Sequence, residues 1–154
     1  MIETITSKEI DRFAHLWCKL NAFHQELDEL FGRPNHCSIW EERRTQLQEK
    51  AQGENLIQIV RIGKETVGYC FTYTDEKNRG EIESLYVLPE YRGEGYGKKL
   101  VKNALNWLDD VNCKDIEISV HPGNTNAISF YWSFGFATGH IMKKIADKSI
   151  ERTA

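Results

Sequence analysis

Hydrophobic positions along this chain change their spacing several times, and each change marks an element. From Thr6 to Leu30 the apolar residues Ile10, Phe13, Leu16, Trp17, Leu20, Phe23, Leu27 and Leu30 recur at helical steps, which places them on one face. Thr6 and Glu9 form a T-x-x-E capping box at the start of that helix, and Gly32-Arg33-Pro34-Asn35 breaks it. A second helix is expected from about Ile39 to Ala51. β-type runs follow at Leu56–Arg61 and Thr66–Tyr73, joined by a tight turn at Gly63-Lys64. Charged residues 75–80 make the next turn and lead into a strand, Ile82–Val87. Helix and strand patterns then alternate: helix Gly95–Asp109, strand Asp115–Val120, helix Thr125–Phe134 and a last strand near Thr138–Lys144. The closing ADKSIERTA is polar and expected to fray. No repeat or low-complexity segment interrupts this order.

Length and composition add little that contradicts it. A chain of 154 residues suits one domain with a real core, so a single domain over 1–154 is expected. Apolar residues make up 40% and charged ones 28%, an ordinary soluble balance. No run approaches the roughly 18 apolar residues that span a bilayer, and the polar N-terminus does not read as a signal peptide. A cytoplasmic protein without a membrane partner is expected. A net charge of −3 gives no electrostatic footprint for nucleic acid, and it is mildly compatible with a cationic, amine-bearing partner. The cysteines at 18, 37, 70 and 113 show no C-x-x-C pairing and read as reduced thiols, several of them core fillers. His15, His24 and His36 share the N-terminal third with Cys18 and Cys37 but lack zinc-ligand spacing, so no metal site is expected.

The candidate chemistry begins at residues 85–97, LYVLPEYRGEGYG, directly before the amphipathic KKLVKNALNWL. An apolar strand ends near Pro89 and a glycine-rich turn opens a helix. Such a turn presents unpaired N–H groups at the positive end of a helix dipole, which suits a phosphate. Gly93, Gly95 and Gly97 would let the backbone approach the ligand, and Arg92 adds a fixed positive charge. A Walker A loop fails here, because its first glycine would fall at Arg92 and its Ser/Thr at Lys99. A dinucleotide fingerprint is weak as well: the spacing is G-x-G-x-G, and Glu117 lies inside the next strand instead of at its end.

The remaining pattern, R-x-x-G-x-G at Arg92, Gly95 and Gly97, closely resembles the coenzyme A loop of the GNAT superfamily of acyl-CoA-dependent N-acetyltransferases. Residues 120–136, VHPGNTNAISFYWSFGF, resemble that superfamily's other hallmark through Asn124, Ala127, Tyr131 and the Gly135-Phe136 pair. Steps of three and four put the first three on one helix face, with Asn124 or Thr125 able to cap the helix and Gly135 ending it. The resemblance is strong over 81–136 and covers 55–145. It implies an α/β domain of the α+β type, in which a central mixed, mostly antiparallel sheet splays between two strands and is flanked by about four helices. The superfamily often begins with a strand, for which only Ile2–Ile5 could serve.

The resemblance also implies the chemistry. Acetyl-CoA is the cosubstrate, no metal is needed, and the acceptor is a small-molecule or peptide amine attacking directly in a ternary complex. Leu85, Tyr86 and Val87 would offer backbone groups to the pantetheine arm and acetyl carbonyl, with the N–H near Tyr86 or Val87 as oxyanion donor. The N–H groups of Gly93, Glu94, Gly95, Tyr96, Gly97 and Lys98 would hold the pyrophosphate beside Arg92. Tyr131 would be the general acid for the departing thiolate, since a phenol of pKa about 10 stays protonated at neutral pH. Asn124 would bond the pantetheine arm or cap its helix. For the base, Glu83 comes first, with Glu81, Glu117, His121 or a water chain as alternatives. Trp17, Phe31, His36, Trp40 and Trp132 could line the acceptor cleft. Relatives commonly form homodimers. Two other functions compete: a nucleotide-binding or phosphotransfer protein, and a noncatalytic acyl-CoA sensor of the same fold.

Overall fold

The computed structural model describes residues 1–33 and 38–139. They fall into two compact units, Met1–Gly123 and Asn124–Ala154, the latter described as far as Gly139.

The first unit is built on a five-stranded sheet in the order β1-β2-β3-β4-β5, with β1 Ile2–Ile5, β2 Asn55–Ile62, β3 Glu65–Thr74, β4 Arg79–Val87 and β5 Asp115–Ile118. The first four strands pair antiparallel and β5 joins β4 in parallel. Parallel pairing demands a crossover, and α3 (Tyr96–Asp110) supplies it. β1 is a true edge strand, since Ile2 pairs with Val60 and Ile5 with Ile57. The capping box holds: Thr6 N–H donates to the Glu9 carboxylate at 2.9 Å. The single helix expected after it is divided, with a 3-10 segment at Ser7–Phe13 preceding α1 (Ala14–Leu30). Helix α2 runs over Trp40–Lys50.

Cross-strand neighbours share a face and successive residues alternate, so the sheet has two distinct sides. Tyr69 pairs with Ile59, and its ring lies 4.1 Å from that of Phe13 in the 3-10 segment. Gln58 faces the other way, toward α3. On that side α3 buries Leu100, Val101, Ala104 and Leu108 completely. The helix is thereby fixed against β2, β3 and β4. At about 1.5–3 kcal/mol per fully buried aliphatic side chain, this face is a major part of the core.

The second unit holds α4 (Thr125–Trp132). The Asn124 side chain accepts from the Ala127 N–H at 3.2 Å, the usual N-cap bond. Gly135, at φ 89°, ends the helix, and the Phe136 N–H returns to the Tyr131 carbonyl at 3.3 Å. The strand expected at Thr138–Lys144 lies outside the described residues, apart from Thr138 and Gly139, which belong to no regular element.

Candidate functional site

β4 is longer than its parallel neighbour, and this shapes the site. The β4–β5 ladder covers only Arg79 to Ile82. β5 ends at Ile118, two residues earlier than its hydrophobic pattern suggests. From Glu83 to Val87, β4 therefore keeps β3 on one side and has no strand partner on the other among the described residues. The Leu88 N–H donates to the Val67 carbonyl at 2.9 Å, which makes that a bonded pair. Antiparallel alternation then turns the backbone groups of Tyr86 toward β3 and those of Val87 and Leu85 toward the open edge. The Val87 carbonyl is taken by the Arg92 Nε–H at 2.8 Å. Among the described residues, no acceptor is recorded for the Val87 N–H on that edge.

Arg92 does more than add charge. Its Nε–H caps β4, and its guanidinium lies 5.2 Å from the centroid of the Tyr86 ring, an attractive cation–π arrangement. The chain then passes through Gly93 and Gly95, whose φ values of 83° and 88° are in the left-handed region that side chains avoid. The first helical bond of α3 is from the Lys99 N–H to the Gly95 carbonyl at 3.0 Å. The helix itself gives no acceptor to the N–H groups of Tyr96, Gly97 and Lys98. These donors open α3 after the exposed turn 92–95, which the 3-10 segment Pro89–Tyr91 joins to the end of β4.

Glu81 and Glu83 lie on β4 before that edge. A β-bulge leaves Glu83 unpaired, with Phe71 opposite Ser84 and Thr72 opposite Ile82. Both Glu83 oxygens are engaged: one accepts from the Arg43 guanidinium and the other from Lys50 Nζ at 2.7 Å. Its side chain is only 8% exposed. Burial alone would raise its pKa, but the charges and hydrogen bonds of Arg43 and Lys50 outweigh that and hold it below the ordinary carboxylate value. Glu81 moves the other way. Burial raises it, the nearby Glu83 charge adds to the rise, and a 2.7 Å hydrogen bond from the Tyr73 hydroxyl opposes it. Glu81 also borders a polar cavity of about 170 Å³ lined by Tyr73, Asp75, Arg79, Gly80 and Glu117.

His121, another candidate base, is committed at both nitrogens. The Gly123 N–H donates to Nδ1 at 3.0 Å, leaving the Nε2 proton to donate to Asp28 at 2.7 Å. Trp17 is buried against Trp40, whose Nε1–H donates to Asp11 at 2.6 Å. Phe31 is exposed and packs its ring over Gly123, leaving no room there for a Cβ. Trp132 is exposed, and its Nε1–H donates to Thr138 at 2.7 Å. His36 lies outside the described residues. Tyr131 is buried in the second unit, with its ring edge-on to Phe130 and Phe136.

Arg43, Lys50, Tyr73 and Asp28 belong to these constellations, and no motif announces them. A faint signal existed for two of them: Arg43 and Lys50 are seven positions apart, two helical turns, and so share a face. Among the described residues no group of three or more His, Cys, Asp or Glu could hold a metal ion, and no helix is long and apolar enough to cross a membrane.

Known proteins are similar to this chain. An N-acetyltransferase of Archaeoglobus fulgidus, otherwise uncharacterised, is 39% identical over 83 residues, which is 50% of this chain and 56% of that protein. The thialysine N-epsilon-acetyltransferase of Bos taurus is 35% identical over 68 residues, 44% of this chain and 40% of its own length. The chain thus spans about half the length of the curated relatives it matches. Among solved structures, the aminoglycoside N-acetyltransferase AAC(6')-Iy in complex with CoA superposes with a TM-score of 0.64 at 14% identity, covering 96% of this chain and 99% of the other. That likeness is one of fold. The family model for the acetyltransferase (GNAT) family matches residues 20–136, and the chain belongs to that family.

Proposed function

We propose that this protein transfers an acetyl group from acetyl-CoA to a primary amine of a small-molecule or peptide acceptor. One observation carries the reading: the open edge of β4 leads, through a short 3-10 segment at Pro89–Tyr91, into a left-handed glycine turn and the donor-rich start of α3. The N–H groups from Gly93 to Lys98 hold the pyrophosphate, with Arg92 fixing the turn's entry. The backbone groups of Leu85 and Val87 extend the sheet to the amides of the pantetheine arm, as strand addition does for a peptide. Of the two oxyanion donors expected on this strand, Val87 suits the role, because Tyr86 directs its backbone groups to β3.

Transfer needs a neutral amine, a polarised thioester carbonyl and a proton for the thiolate. An aliphatic ammonium of pKa about 10 must first lose a proton. Glu83 is held anionic and engaged by Arg43 and Lys50. Glu81, with its raised pKa, takes the proton directly or through water. The amine nitrogen then attacks the acetyl carbon and forms the amide bond as the carbon–sulfur bond breaks. Charge developing on the carbonyl oxygen is met by the Val87 N–H; Tyr131 donates its proton to the departing sulfur and is restored by the proton that the nitrogen gives up on becoming the amide. Names of related proteins support a nitrogen acceptor, since the Bos taurus relative is named for thialysine and the structural neighbour for aminoglycosides.

The test is release of free thiol from acetyl-CoA across a panel of polyamines, aminoglycosides, amino acids and lysine peptides. Amine-dependent release is expected. Binding of acetyl-CoA with no release for any amine would replace the transferase by a sensor.

A further inference from the structure

We infer that Gln58, in the middle of β2, is a positioning residue that sets where the phosphate-binding turn stands relative to the open edge of β4. The inference rests on the acetyl-CoA reading above. Gln58 is 1% exposed, and its strand neighbours Ile57 and Ile59 are fully buried on the opposite face of the sheet. Both ends of its amide are used by α3. The Nε2–H donates to the Leu100 carbonyl at 3.2 Å, and Oε1 accepts from Asn103 Nδ2 at 2.9 Å. Those groups are three residues apart on one helix, so the two bonds fix both the position and the direction of its axis.

The rest of the contact is apolar, through Leu100, Val101, Ala104 and Leu108. Apolar burial is non-directional and does not by itself define the axial register of a helix on a sheet. A buried amide with two partners does, because a slide breaks its hydrogen bonds and leaves polar atoms unsatisfied. Leucine at 58 would bury as much volume without those demands, so stability alone does not account for glutamine. The location accounts for it. Leu100 is four residues beyond Tyr96, about 6 Å along the axis from the first free N–H groups. Across the sheet, Gln58 pairs with Cys70, and Cys70 with Leu85 on the open edge. One side chain thereby ties the first turns of α3 to the row of the sheet that carries the thioester edge.

The test uses the full chain and Gln58→Leu, with calorimetric binding of CoA and acetyl-CoA and thermal denaturation of each protein. Expected are an unchanged or higher Tm and a Kd for CoA weakened about fivefold or more, since small misplacements of binding groups are expensive. Asn103→Ala, an exposed position, should weaken binding in the same direction and serves where Gln58→Leu does not fold. A Kd within about twofold of wild type overturns the inference, as does weaker binding that appears only with a lower Tm, because either makes Gln58 a core residue alone. Failure of the wild-type chain to bind CoA at all would instead sink the acetyl-CoA reading.

Discussion

Two glutamates on one strand end with opposite protonation tendencies because their neighbours differ. Glu83 faces two cations, whereas Glu81 faces a phenol and a carboxylate. Glu83's folded pKa is lowered, so its stabilisation is full above the unfolded value of about 4.3 and is lost as pH falls through the folded value. Glu83→Gln should lower Tm at pH 7 and flatten the acid limb of the stability curve. Glu81's folded pKa is raised, so the folded state loses stability as pH rises through that value. Glu81→Gln should therefore raise or preserve Tm at pH 8 while cutting kcat/KM and removing the acid limb of its pH profile. A Glu81→Gln enzyme with a wild-type pH profile would hand the proton to Glu83 or to water. Tyr131→Phe should slow kcat by ~10²-fold, the usual range for a general acid; a smaller loss would leave Tyr131 a packing role. The carboxylates and glycines of this site were legible in the chain because each belongs to a short local pattern. The opposite pKa shifts of Glu81 and Glu83 were not, since they depend on Arg43, Lys50 and Tyr73, brought in by α2 and β3 from elsewhere in the sequence.

Element by element, the same division holds. Helices α3 and α4 and strands β2 to β4 follow from apolar spacing and turn residues, and α2 falls where a second helix is expected, all within a few positions at their ends. The 3-10 segment at Ser7–Phe13 did not follow, because its apolar steps fit a helix and tertiary packing of Ile10 and Phe13 decides the tighter winding. The short β5 did not follow either, since a strand's end is set by whether a neighbour remains to pair with. Glycine roles were readable, and they can be separated by experiment. Gly95 (φ 88°) and Gly63 (φ 61°) both have open space where a Cβ would stand, so alanine at either position costs backbone strain of about 1–2 kcal/mol. Both substitutions should lower Tm by a few degrees, roughly the shift expected for a chain of this size. Only Gly95→Ala should also weaken acetyl-CoA binding measured by calorimetry. Equal binding in the two variants would remove the Gly95 turn from the ligand site.

At the scale of the whole molecule the question is which ligand uses both the turn and the strand. Helix N-termini accept any phosphate, so the turn cannot by itself separate coenzyme A from a nucleotide. The β4 edge can, because only a ligand with an amide-bearing arm can continue its hydrogen-bond ladder. Ligand present at 100 times its Kd adds about 2.7 kcal/mol to stability, roughly 5–10 °C in Tm for a domain of this length. Acetyl-CoA should give a shift of that order in a thermal-shift assay, and ATP and NAD much less. Adenosine 3′,5′-bisphosphate, which lacks both the pyrophosphate and the arm, should give little. Dephospho-CoA, which keeps both, should retain most of the effect. Stabilisation by ATP alone would return the chain to the nucleotide-binding reading. Equal stabilisation by ADP and acetyl-CoA would mean that the turn binds and the open strand does not, and the thioester would then have no place on β4 to be held for attack.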